Sequence, residues 1–168
     1  MAPRRESSEY PELDAIEPGY YAILDPDDDT RVTYWRRVRN NKVDSLRAWP
    51  PRAAYGPPSP SRLPADPRAR YEAAMKWSKK RREYLDRVVA AIGKAPEAAA
   101  RCFADLQVRC WSCARALKDD KSKVLGIGPD CRSGMDPGFL ARYSSPEVGR
   151  AHAEHLTALR AAAEVIGR

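Results

Sequence analysis

No stretch of this 168-residue chain approaches the roughly 18 consecutive apolar residues that a membrane span needs. Its opening, MAPRRESSEYPELD, holds no apolar run of the secretory kind. A cytoplasmic protein with reduced thiols is the expectation. No G-x-S-x-G elbow, H-E-x-x-H pair or Walker motif occurs, so the signatures of common hydrolases and nucleotide enzymes are missing. The acids that do cluster, in DPDDD and KDDK, are explained by turns and helix caps. These absences point to a non-enzymatic protein. Histidine is confined to His152 and His155, and no internal repeat is visible.

Positive charge, proline and a few cysteines are what the chain does have. Thirty Lys and Arg against 23 Asp and Glu give +7, with a pI near 9.4. Such a balance calls for an acidic partner, nucleic acid first and an acidic protein surface second. Fifteen prolines and 32% charged residues argue against one smoothly packed globule.

An α+β organisation is expected. Residues 1–17 read as a disordered tail and 18–56 as a β-hairpin or three-stranded sheet. GYYAILD and RVTYWRRVR are the strands, joined through DPDDD by a loop of five residues or more. LRAWPPRAAYG adds a short third strand, with Trp49 and Tyr55 covering the hairpin. Residues 57–66 form a proline-rich linker. The unit 67–134 contains helices and the cysteine segment. Asp66-Pro67 starts a helix that runs to about Ile92 and stops at Gly93, with Tyr71, Met75, Leu85, Val89 and Ile92 as its apolar stripe. Pro96 opens a second helix burying Ala99, Cys102, Phe103 and Leu106. Residues 135–168 comprise a loop at Asp136-Pro137-Gly138 and a C-terminal helix with the line Val148, His152, His155, Leu159, Ala162, Ile166.

The chemistry is concentrated in CWSCARALKDDKSKVLGIGPDC. Cys110 and Cys113 have knuckle spacing, and Cys131 follows after seventeen residues. Asp119 or Asp120 caps one helical turn, Gly126 permits a left-handed exit, and Gly128 lets the backbone approach closely. Pro129 presets the turn that carries Cys131 to a helix N-terminus. A phosphate cradle at GIGP fits less well, because no strand precedes it and no Gly-Lys-Ser/Thr follows. Zinc bound here is structural, replacing core that the fragmented chain cannot bury. A fourth ligand is required. Cys102 is placed first, with His152, His155, Asp130, Asp136 and water as alternatives.

A second candidate surface is the strand face with Trp35 among Arg31, Arg37 and Arg39. It has cations for phosphates and an aromatic plane for a base. Lys79, Lys80, Arg81 and Arg82 add a basic cluster on the first helix.

The cysteine segment resembles a small zinc-ribbon-type family of unknown function found in proteins of actinobacteria and their phages. That family's pattern is C-x-x-C-G-R-x-L-T-x-x-x-S-x-x-x-G-I-G-P-x-C. Cys110, Cys113, Arg115, Leu117, Ser122, Gly126, Ile127, Gly128, Pro129 and Cys131 match it, while Ala114 and Lys118 stand where the family has glycine and threonine. Ala114 strains the knuckle if that position needs positive φ. The hairpin GYYAILDPDDDTRVTYWRRV is similar to one found upstream in phage-type members, extending the resemblance to residues 18–132. The resemblance implies a zinc-stabilised, phage-derived architecture and no reaction. The expected function is a non-catalytic module that binds single-stranded or structured nucleic acid. A protein-binding adaptor or inhibitor of a host protein is the rival, with a zinc hydrolase last.

Overall fold

The β-branched and aromatic runs between residues 19 and 49 form three antiparallel strands, β1 (Gly19–Asp25), β2 (Asp28–Arg39) and β3 (Asp44–Trp49), in the order β1-β2-β3. They belong to a computed structural model that describes residues 11–166. The β1–β2 connection is tighter than the expected long loop. Asp25 Oδ1 accepts the Asp27 N–H at 2.9 Å, so the acid replaces a backbone turn partner. Asn40 does the same before β3, accepting from Lys42 and Val43 at 2.9 Å each.

Tyr21 pairs with Trp35 and Ala22 with Tyr34, which sorts the side chains onto two faces. Both faces are covered. Tyr21, Ile23, Thr33, Trp35 and Arg37 lie on one face and are all buried. On the other, Phe103 meets Tyr20 at 5.2 Å, Tyr34 at 6.2 Å and Trp49 at 5.2 Å between ring centroids.

The helices are α1 (Pro67–Lys94), α2 (Pro96–Gln107), α3 (Asp120–Leu125), α4 (Pro129–Ser133), α5 (Pro137–Tyr143) and α6 (Pro146–Ile166). Asp66 caps α1 by accepting the Ala69 N–H at 2.8 Å. Gly93 lies inside α1, which ends at Ala95 because Pro96 disfavours helical backbone in the residue before it. The expected α1 stripe holds only in the second half of the helix. Tyr84, Val88, Val89 and Ile92 are buried, whereas Tyr71 and Met75 are 66% and 52% exposed. The expected loop at Asp136-Pro137-Gly138 is instead the start of α5, with Asp136 accepting the Phe139 N–H at 2.9 Å. α6 packs on α2 and β2, with Leu159 fully buried.

Of the expected N-terminal tail, residues 1–10 lie outside the described part. The rest is a 3-10 helix (Pro11–Ala15) and its exit, which bury Leu13 and Ile16 in the core. One hydrophobic cluster joins these residues to the sheet, α1, α2, the cysteine segment, α5 and α6. No helix among the described residues is long and apolar enough to cross a membrane.

Candidate metal centre

α2 ends where Val108 turns into left-handed backbone at φ 52°, its N–H bonded to the Ala104 carbonyl. The chain then makes a tight hairpin. Cys110 N–H donates to Arg115 O at 2.8 Å, Ala114 N–H to Cys110 O at 2.7 Å and Leu117 N–H to Val108 O at 3.0 Å. A single bridge pairs Arg109 with Ala116. Ala114 sits at φ 61°, a left-handed conformation that glycine adopts without a side-chain penalty.

The second half of the site comes from α3 and α4. Asp119 caps α3 by accepting the Ser122 N–H at 2.9 Å, and Gly126 ends it at φ 72°. The Gly126 carbonyl accepts the Trp111 N–H at 3.1 Å, clipping this turn to the hairpin. Pro129 then opens α4 and delivers Cys131 on its first turn. Gly128 has the expected place but not the expected reason. A Cβ there would meet nothing within 4 Å, so close approach does not demand glycine.

These turns bring the sulfurs of Cys110, Cys113 and Cys131 within 4.8 Å of one another. Thiolates on tetrahedral zinc, each about 2.3 Å from the ion, stand about 3.8 Å apart, so the donor set fits a metal with small adjustment. Burial raises the Cys110 thiol pKa, but backbone N–H groups of Gly128, Cys113 and Ser112 outweigh it and hold the value below normal. Cys131 is pushed up to about 12, by burial first, then by its hydrogen bond with Cys113 and the charge on Cys110. Three thiolates this close repel one another, and a cation is what lets them ionise together.

Cys102 does not join them. It is fully buried with Sγ 3.9 Å from the His152 carbonyl, and burial, followed by the Asp105 charge, pushes its thiol to about 12. The His152 ring contacts Asp105 at 2.6 Å, and His155 is half-buried on α6. Asp130 pairs with Arg115 at 3.5 Å and Asp136 caps α5. Placing Cys102 first is therefore corrected: its apolar helix face is core, as Phe103 beside it is.

The expected strand surface also dissolves. Trp35 is fully buried between Tyr55 (5.4 Å) and Tyr84 (6.2 Å), with its indole N–H on Thr33 Oγ1 at 2.9 Å. Arg37 is 1% exposed, ion-paired to Asp44 and bonded to the Leu13 and Val38 carbonyls. Period two was right, but the second face of the sheet is closed by α1 and the connector, so the arginine is neutralised inside. Arg31 leans on the Tyr55 ring at 5.0 Å and Arg39 pairs with Asp14 at 2.7 Å. Arg81 is half-buried and donates to the Tyr55 carbonyl, while Lys79, Lys80 and Arg82 are exposed on α1.

Sequence reasoning missed the aromatic floor beneath the knuckle. Trp111 packs on Tyr143 and Phe139, each at 5.9 Å, and on Tyr21 at 6.3 Å. The signal for it was Asp136-Pro137, the same cap-and-proline pair that marks α1.

Residues 100–136 match the model of a family of unknown function, DUF6011. The match runs from α2 to the α5 cap and leaves the upstream hairpin outside. No curated protein and no solved structure matches the chain. What the chain shares with that family is thus the segment that gathers the three cysteines.

Proposed function

We propose that this is a non-catalytic binding protein in which Cys110, Cys113 and Cys131 hold structural zinc and the projecting half of α1 takes single-stranded nucleic acid. A structural role for the metal is supported by the sulfurs being the only His, Cys, Asp or Glu ligand group of its kind among the described residues, with no carboxylate or imidazole joining the three thiols in that group. Zinc would fasten the hairpin after α2 to α4, two short elements with little core of their own.

The observation that carries the binding half is the surface of α1. Between Arg62 and Arg82 stand eight Lys and Arg against Asp66 and Glu72. No residue of α1 before Tyr84 is buried, so these charges ride on a helix that faces solvent for four turns. Tyr71, 66% exposed between Arg70 and Glu72, supplies the stacking plane that Trp35 cannot.

Binding of labelled single strands across a salt series tests this. Each neutralised phosphate contributes about −0.7 to the log–log slope. Lys79→Ala with Lys80→Ala should therefore flatten the slope by about 1.4, and Tyr71→Ala should weaken binding without changing it. Binding that ignores salt, or that survives all three changes, would refute the assignment and leave an acidic protein surface as the partner.

A further inference from the structure

Zinc held for structural reasons takes four ligands, usually four thiolates or three with an imidazole. Here the described residues bring three together. Of the side chains able to supply a fourth, Cys102 and His152 contact one another's elements between α2 and α6, Asp136 caps α5, Asp130 pairs with Arg115, and His155 on α6 does not join the group. Residues 1–10 and 167–168 contain neither cysteine nor histidine. The group also opens outward, with Cys110 buried, Cys131 half-buried and Cys113 exposed.

A cavity of about 310 Å³ lies beside this opening. Ser112, from between the first two cysteines, lines it and hydrogen-bonds Cys131. Trp111 and Phe139 give it apolar walls, and Glu17 and Asp136 bring two carboxylates. The volume is at the lower end of small-molecule sites and too confined for a folded partner.

Resting on the zinc reading above, we infer that the fourth position is a binding site for a small aminothiol from outside the chain. Its thiolate would complete the metal, and its ammonium group would lie in the cavity toward Glu17 and Asp136. Three thiolates and one zinc carry one net negative charge; a fourth thiolate raises it to two, and the ligand's own ammonium group returns it to one.

Cobalt(II) in place of zinc in the full chain makes the ligand set visible. The starting spectrum should be that of three thiolates, and be the same in Cys102→Ser, His152→Ala and His155→Ala. Cysteamine should raise the sulfur-to-cobalt band by about one third as the thiolate count goes from three to four. Mercaptoethanol, which lacks the amine, should do the same with about 2–5-fold weaker affinity, a difference that Glu17→Gln reduces. A spectrum indifferent to both thiols, or altered by any of the three variants, overturns the inference. Equal affinities for the two thiols overturn the placement of the ligand in the cavity. No cobalt uptake at all instead sinks the metal reading beneath it.

Discussion

Gly126 and Gly128, two residues apart in GIGP, should respond very unequally to the same change. Gly126→Ala puts an L-residue at φ 72°, which costs about 1–2 kcal/mol. Its Cβ would also stand 2.8 Å from the Ala104 Cβ and 3.1 Å from Tyr143 Oη, well inside normal contact. Neither neighbour yields easily, since Ala104 is on buried α2 and the Tyr143 hydroxyl is bonded to Leu125 O at 2.8 Å. Overpacking of this kind costs about 1–3 kcal/mol. Reduced freedom of the unfolded chain returns about 0.4–1 kcal/mol. The net is a loss of about 2–4 kcal/mol. Gly128→Ala meets open space at φ −69°, so the same entropy gain is offset only by a poorer helix cap, and the net stays within about 0.5 kcal/mol. Because the Gly126 carbonyl holds the Trp111 N–H next to Cys110, the distortion falls on the metal group. A loss of about 2 kcal/mol there weakens zinc about 30-fold. Urea melts of the zinc-saturated variants and chelator competition measure both quantities. If Gly126→Ala costs no more than Gly128→Ala in either assay, the backbone account of this motif is wrong.

Three further outcomes follow from the same geometry. Trp35→Ala should cost about 3–5 kcal/mol in a urea melt while leaving the salt slope of nucleic-acid binding intact, because the ring is core; unaltered stability would contradict that placement. Ala114→Gly should raise stability by about 0.5 kcal/mol, the relief of positive φ exceeding the unfolded-state cost, whereas Ala116→Gly in the same hairpin should lower it. In zinc-buffered solutions stability should climb by about 1.4 kcal/mol per tenfold rise in free zinc above Kd, and a flat response would exclude metal-linked folding.

What could be read from the sequence was what local rules decide. The capped helix at Asp66-Pro67, the α3 turn between Asp119 and Gly126, and Pro129 at the start of α4 all rest on short-range hydrogen bonds or fixed φ, and all stand in the structure. The three sulfurs meet because those turns leave the chain few other paths. Misreadings arose where a distant element decides. Period two could assign Trp35 and Arg37 to one face of β2, but not tell that Tyr55 and Tyr84 would close that face. An arginine normally marks the outside, and Arg37 escapes the rule because Asp44 on β3 pairs with its charge and two carbonyls accept from its Nε and Nη1, which leaves only Nη2 without a partner. Tyr71 and Met75 continue the apolar periodicity of α1 past the point where there is anything to pack against. Asp136-Pro137 was legible by the rule applied at Asp66-Pro67, and the glycine at 138 obscured it.

Trp111 shows how a metal at the three cysteines would bear on the centre of the molecule. Its backbone N–H donates to Gly126 O at 3.1 Å and its carbonyl accepts the Tyr20 N–H at 2.7 Å, so one peptide segment joins the cysteine turns to the first residues of β1. Its ring is held by Tyr21 from the sheet and by Tyr143 and Phe139 from α5. Loss of the ion would free Cys110, the residue before it, and with it the bond that aligns β1 at its N-terminal end. β1 pairs with β2, whose Trp35 carries Tyr84 and through it the buried half of α1. The exposed basic half of the same helix is continuous with that anchor. A structural metal at the three cysteines would therefore fix the direction in which the cationic half of α1 is presented.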